Sequence, residues 1–320
     1  MVDVRRFYKL LTLACIALAG TAIAGCQIGL KKQPAPDFGD YRIIGYVNTD
    51  TDIRQIDPHK LTHINFAFAR LDSTGAIYFR SAGSEAYLAQ LTALRNRNPS
   101  LQIVLSIGGW GADYFSDVAL NDTSRRDFAM KVVDLVRAHD LDGVDLDWEY
   151  PGQPGPGIKY RPEDKLNFTL LLQTVRQHLD LAGAEDGRDY ILTIASSGSQ
   201  RYFANTQMDV LHAYLDFINV MAYDFYTAGS GKTGHHAGLF KSSYTDDTDR
   251  NADDAVRRHL EAGIPADKVV LGVAFYGRGW TQVSKTNSGL YQSAGRPTRA
   301  YTYRELTTDY INKRSFDLYW

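Results

Sequence analysis

The chain has 320 residues, a formal charge of −2, 44% hydrophobic and 12% aromatic content. That is enough apolar material for a large core, and the near-neutral balance argues against nucleic acid or an anionic membrane surface as the partner. Twenty tyrosines would suit stacking on sugars, although any single one is more commonly a core or rim residue.

Met1 to Gly25 has the form of a targeting segment and lies outside fold reasoning. Arg5, Arg6 and Lys9 make its positive start, and the apolar stretch Leu10 to Ala24 falls short of the ~20 residues a membrane span needs. It ends in Ile23-Ala24-Gly25-Cys26, which resembles a bacterial lipobox. That makes Cys26 the expected lipidation site and predicts a cell-envelope protein, anchored by lipid at the outer membrane or cell surface, or secreted. Gln27 fits outer-membrane sorting. The competing reading, a short core helix with an incidental cysteine, lacks an amphipathic pattern. Cys15 and Cys26 are the only cysteines, so no disulfide is expected in the mature domain. Residues 26–40, with Pro34 and Pro36, read as a tether.

From Tyr41 short apolar strands alternate with helical patterns, as in a parallel α/β fold. Strands are predicted at Arg42–Val47, His63–Phe68, Gln102–Ile107, Gly143–Trp148, Tyr190–Ala195, Phe217–Tyr223 and Val269–Phe275. Helices are predicted at Glu85–Arg95 after Ser84, at Arg125–His139 with Ser124 and Asp127 as a capping-box-like start, and at Glu163–Asp180 opened by Pro162. The acidic run Thr245 to Asp254 lacks the Gly and closing Glu of a calcium loop and leads into a helix over Ala252–Glu261. Acids at a helix start complement its dipole, so the run reads as solvated structure. His235-His236 is a weak metal hint, and a plain surface pair is the simpler reading. Seven βα units point to an α/β fold of the (β/α)₈ TIM-barrel type, with the site at the C-terminal strand ends.

The stretch LDGVDLDWEYPG, Leu141 to Gly152, organises the rest. Side chains alternate along a strand, so Asp145, Asp147 and Glu149 share one face, and Val144, Leu146 and Trp148 take the other. A row of acids on a buried strand is costly, several kcal/mol or so for each charge taken from water. A metal site, a set of strand-end caps, and acid chemistry by carboxyls with mutually shifted pKa values are the three readings. Acid chemistry is favoured, because perturbed carboxylates cluster at working sites and a hard metal would collect further loop ligands. Asp142 has the opposite parity at the strand's start and is expected to hold the turn.

DGVDLDWE fits the DxxDxDxE signature of family-18 glycoside hydrolases, the chitinase family. Ser106-Ile107-Gly108-Gly109-Trp110 resembles that family's SxGG segment, Met221-Ala222-Tyr223-Asp224 its MxYD segment, and Tyr276-Gly277-Arg278 the tyrosine and arginine after the seventh strand. Taken alone, Ser106, Gly108 and Gly109 could equally mark a tight turn where two elements crowd. The resemblance implies a catalytic barrel over residues 41–279 and the start of a chitinase α+β insertion over residues 280–320. It also implies a chain truncated at its C-terminus, since no eighth strand is legible.

By that resemblance the activity is chitin hydrolysis with retention, the substrate's own acetamido oxygen acting as nucleophile. Glu149 would be the general acid and then base. Asp147 would orient the acetamido group and stabilise the cationic intermediate, Asp145 would share a proton with Asp147, and Tyr223 would donate to the acetamido carbonyl. Asp224, Tyr276, Arg278, Met221, Trp110, Tyr46 and Phe68 would contact sugars. For Arg278 a surface or salt-bridge role is the alternative, and for Trp110, Tyr46 and Phe68 it is plain core. No metal or organic cofactor is expected. The implied partners are chitin and chitooligosaccharides, with the membrane reached through the lipid anchor, no nucleic acid, and a monomeric state. An endo-β-N-acetylglucosaminidase and a non-catalytic chitin-binding lectin are the alternatives; the presence of Glu149 argues for an enzyme.

Overall fold

The structure, a computed structural model, describes Gly39 and residues 41–244, 250–295 and 297–311. The targeting segment, Cys26, most of the tether and part of the acidic run after Thr245 lie outside the described residues.

In chain order the main elements are β1 Ile44–Val47, β2 His63–Leu71, β3 Ile77–Phe79, α1 Ser84–Thr92, β4 Gln102–Gly108, α2 Phe115–Val118, α3 Asp122–Ala138, β5 Gly143–Asp147, α4 Asp164–Asp186, β6 Ile191–Ser197, α5 Gln200–Ala204, α6 Met208–Leu211, β7 Phe217–Met221, α7 Ala252–Glu261, β8 Val269–Leu271, β9 Tyr276–Trp280, β10 Pro297–Thr302 and α8 Tyr303–Asp309. Seven strands pair in parallel in the order β1-β2-β4-β5-β6-β7-β8, and β3 adds to β2 in the antiparallel sense. The curled sheet is an incomplete (β/α)₈ barrel. Among the described residues β1 and β8 are its two edges. Their neighbourhood is bare: Tyr41 is 82% exposed, Val273 68% and Phe275 73%. β9 and β10 form an antiparallel hairpin followed by α8.

The seven predicted strands all occur, with ends moved by a few residues. β2 and β6 run further than their apolar runs suggested, and β8 stops at Leu271 rather than Phe275. Tyr276 and Arg278, expected just after the seventh strand, lie in the first strand of the hairpin. Helix α3 starts earlier than predicted because its cap is Asn121. The Asn121 side chain accepts from the N–H groups of Thr123 and Ser124, while the Ser124 hydroxyl donates back to the Asn121 carbonyl. Ser124 is thus the second partner of the cap. Helix α4 begins at Asp164 and continues to Asp186, where Gly187 in the left-handed region closes it.

The strand faces divide as the parity of residues 141–149 requires. Val144, Leu146 and Trp148 are buried against the helix layer, with Trp148 stacked on Phe115 at 5.5 Å and edge-on to Phe168 at 5.4 Å. Phe128, Val132 and Val136 of α3 and Phe168, Leu171, Leu172, Val175 and Leu179 of α4 recur at helical spacing and supply the covering face. Each such side chain contributes about 1.5–3 kcal/mol through its burial.

At the opposite end of β5, Asp142 is a clamp. Its carboxylate accepts the Ile103 N–H at 2.6 Å and Arg188 Nη2 at 2.5 Å, and it also pairs with Arg95. Three chain segments are held at one buried carboxylate, so Asp142→Asn takes the buried charge from two guanidinium groups and leaves each with only the exposed carboxylate of Asp140. The expected loss is about 3 kcal/mol, read as a lowered urea midpoint at unchanged m-value.

Candidate active site

The site is built on the C-terminal ends of the strands, where β5 delivers its acids into the barrel mouth. Asp145 lies deepest and is fully buried. Its Oδ2 accepts the Tyr46 hydroxyl at 2.9 Å and the Ser106 hydroxyl at 2.8 Å. Its Oδ1 accepts the Thr193 hydroxyl at 2.7 Å and Asn219 Nδ2 at 3.1 Å. Burial raises the Asp145 carboxyl pKa, while these four donors pull it back down.

Asp147, two residues on, has no such escort. It is buried, and its Oδ1 makes no hydrogen bond. Burial first, then the charges of Glu149 and Asp145, raise its carboxyl well above the ordinary range, against a smaller pull from Arg70. Glu149 is half-buried, and burial pushes it up to about 7; the Tyr150 hydroxyl and the Arg70 charge work against that rise, and the Asp224 charge works with it. Asp147 and Glu149 interact strongly, so the protons they bind belong to the pair.

The segment after β4 is shaped by crowding. Gly108 has φ 126°, and a Cβ there would run into the carbonyl oxygen of Asp147. Gly109, at φ 84°, donates its N–H to that same carbonyl at 2.8 Å and lies against the Phe68 ring. Only glycine fits both constraints. Trp110 follows, 61% exposed, with its ring 6.4 Å from that of Tyr150.

Across the mouth, Tyr223 and Asp224 lie just past β7. Burial raises the Tyr223 hydroxyl, helped by the charges of Asp147 and Glu149, so it keeps its proton. Asp224 receives Arg278 through two bonds, Nε to Oδ1 at 2.8 Å and Nη2 to Oδ2 at 2.6 Å. Burial raises the Asp224 carboxyl, but His236 and Arg278 outweigh it and leave the pKa below the ordinary value. Tyr276 packs edge-on to Tyr223 at 6.0 Å. Met221, at the end of β7, is half-buried.

The structure therefore gathers Asp145, Asp147, Glu149, Tyr223, Asp224, Tyr276 and Arg278 around one mouth, with Ser106 beneath. Two expectations about sugar contacts change in character. The Tyr46 hydroxyl is spent on Asp145, and the Arg278 guanidinium on Asp224. His236 is not a plain surface residue: it is half-buried, its Nε2 lies 2.9 Å from the Tyr276 carbonyl and its Nδ1 3.5 Å from Asp224 Oδ1. Sequence reasoning passed over Thr193, Asn219, Arg70 and Tyr150. Thr193 and Asn219 left a signal, a polar residue at an alternate position of an otherwise apolar strand. Arg70 left none. Among the described residues no group of three or more His, Cys, Asp or Glu side chains could hold a metal ion, and no helix is long and apolar enough to cross a membrane.

A parallel α/β barrel with a row of carboxyls raised chiefly by burial at its mouth has the architecture of a glycosidase-type hydrolase. The chain belongs to glycosyl hydrolases family 18, whose profile matches residues 42–319. It is 35% identical over 360 residues to chitinase A1 of Niallia circulans, covering 92% of this chain and 52% of that protein. It is 34% identical over 251 residues to chitotriosidase-1 of Mus musculus, covering 76% and 53%. The chain spans about half the length of these curated relatives. Among solved structures, a family-18 N-acetylglucosaminidase from Paenibacillus barengoltzii superposes with a TM-score of 0.81 at 39% identity, covering 88% of this chain and 82% of that one. Chitinase ChiA74 from Bacillus thuringiensis gives 0.80 at 33% identity, covering 87% and 58%.

The raised Glu149 pKa has a consequence for stability. Below its ordinary value of 4.5 the group is protonated whether the chain is folded or not. As pH rises through 4.5 toward about 7 the unfolded chain ionises first, so native stability falls. Glu149→Gln removes that loss and leaves Asp147 in place. The variant is expected to exceed the wild type by about 1–3 kcal/mol at pH 8 and to match it closely at pH 4, measured by urea unfolding at both values.

Proposed function

We propose that this protein hydrolyses β-1,4-linked N-acetylglucosamine polymers, chitin and chitooligosaccharides, with retention of configuration and with the substrate's acetamido oxygen as nucleophile. The observation that carries the reading is Glu149, a half-buried carboxyl pushed up to about 7 beside the still more strongly raised Asp147. An acid that holds its proton near neutral pH can protonate a glycosidic oxygen and, once ionised, activate water.

In this reading Asp147 accepts the acetamido N–H and stabilises the positive charge that develops on the oxazolinium-like intermediate. Its unpartnered Oδ1 is suited to that task. Asp145, fixed by four donors, supports Asp147 and can take part in sharing its proton. Tyr223, protonated and beside the acids, donates to the acetamido carbonyl and helps aim its oxygen at the anomeric carbon, a positioning effect that reaches roughly 7–11 kcal/mol in ideal cases. Trp110 offers an exposed ring for a sugar on the leaving-group side. The proposed chemistry draws on protein groups and on the substrate itself and calls for no metal or organic cofactor.

Glu149→Gln is expected to lower kcat by at least about a thousandfold, since it removes both proton transfers, while chitooligosaccharide binding by calorimetry stays within a few-fold. In the wild type, kcat/KM should decline as pH rises through about 7, because the acid must enter the reaction protonated. Near-wild-type turnover by the variant would refute the assignment. Fluorogenic chitobiose and chitotriose derivatives, compared by product length, separate a chitinase from an N-acetylglucosaminidase, the activity in the name of one structural relative.

We also propose that Cys26 carries the lipid anchor, a reading that rests on the sequence Ile23-Ala24-Gly25-Cys26. Expressed in a Gram-negative host, the wild-type chain should take up labelled palmitate and Cys26→Ser should not. Recovery of unmodified protein with residues upstream of Cys26 retained would overturn it.

A further inference from the structure

The segment that carries Trp110 has little rigidity of its own. Gly108, Gly109 and Gly111 all have positive φ, at 126°, 84° and 72°, and glycine-rich backbone is the least able to hold a bulky neighbour in place. Its main-chain ties are the bond from the Gly109 N–H to the Asp147 carbonyl at 2.8 Å and a turn bond from the Ala112 N–H to the Gly109 carbonyl at 2.9 Å. Neither ties down the Trp110 peptide itself.

Arg70, at the end of β2, does. Its Nη1 donates to the Gly109 carbonyl and its Nη2 to the Trp110 carbonyl, both at 3.2 Å. The guanidinium lies 6.0 Å from the centre of the Phe68 ring, the same ring that backs Gly109. A planar fork that spans two consecutive carbonyls fixes the orientation of the peptide between them, which a lysine cannot do. We infer that Arg70 is a positioning residue, setting the Gly109–Trp110 backbone so that the Trp110 ring is presented to a sugar on the leaving-group side; this rests on the chitin-hydrolysing reading above.

The same charge reaches the acids. Arg70 lowers the carboxyls of both Asp147 and Glu149, and the groups acting on it in turn are Arg80 and Tyr78 beside those two acids. Glu149 also faces Tyr150, Tyr202, Tyr223 and Asp224. Of the charged groups acting on Glu149, Arg70 is the cation. The fork and the charge are separable by substitution. Arg70→Lys keeps the charge and loses the fork, and Arg70→Met loses both.

Both variants of the full chain are first checked for cooperative unfolding. Values of kcat and KM are then measured on a short chromogenic glycoside with no leaving-group sugar and on a chitooligosaccharide long enough to place one on Trp110. The expected result is that the ratio of kcat/KM for the long substrate to that for the short one falls about tenfold in both variants, mainly through KM. The alkaline limb of kcat/KM moves up by about half a pH unit in Arg70→Met alone. Equal losses on both substrates with an unmoved limb would reduce Arg70 to a structural role and overturn the inference. If the wild type hydrolyses neither substrate, the functional reading fails on its own account. Arg70 is then judged by acrylamide quenching of the tryptophan emission that Trp110→Phe removes: altered quenching in both variants supports the inference and unaltered quenching sinks it.

Discussion

The carboxylate of Asp145 is the point on which the barrel interior turns. Four donors from β1, β4, β6 and β7 meet on an acid from β5, so five strands of the curled sheet share one buried carboxyl. Taken alone, an ionised carboxylate in that position would cost several kcal/mol or so. With every favourable site on its two oxygens filled by an O–H or N–H, the group becomes a fixed element of the architecture.

Asp147 receives none of these donors, and Glu149 receives only the Tyr150 hydroxyl. Burial raises both outer acids; the charges of Glu149 and Asp145 add to the rise at Asp147, and that of Asp224 adds to it at Glu149. Hydrogen bonding along this face is therefore graded: a saturated carboxyl at the bottom, an unsaturated one above it, and just past β5 a half-buried acid that receives one hydroxyl. The grading uses three chemically similar residues on one strand face and differs only in what surrounds each. The acids also burden the fold, because burying them favours protonation over the charge water would support.

The mouth is completed by two arginines that act on neighbours. Arg278 neutralises Asp224, which otherwise would add an unopposed negative charge near Glu149. Arg70 ties the glycine-rich segment to β2. In both cases a guanidinium satisfies two acceptors at once, the geometry in which arginine differs most from lysine. The three glycines of that segment let the backbone of β4 and β5 approach closely, at the expense of the rigidity a side chain would confer.

Much of this was legible in residues 141–152, because strand parity is local: alternation alone puts Asp145, Asp147 and Glu149 on one face and Val144, Leu146 and Trp148 on the other. The alternation of strands and helices gave the parallel fold for the same reason, periodicity being a property of neighbours in sequence. Boundaries were less secure, as at Asn121 and Leu271, where capping and pairing depend on residues outside the apolar run. The donors of Asp145 lie 39 to 99 residues from it in sequence, and nothing local marks Tyr46 as its partner rather than a sugar's. The pairing of Arg278 with Asp224 and the reach of Arg70 to Gly109 and Trp110 depend likewise on which segments the curled sheet sets side by side. Sequence decided which side chains face inward; tertiary structure alone decided which of them meet, since a hydrogen bond requires two groups within ~3 Å and only the packed sheet brings distant strands that close.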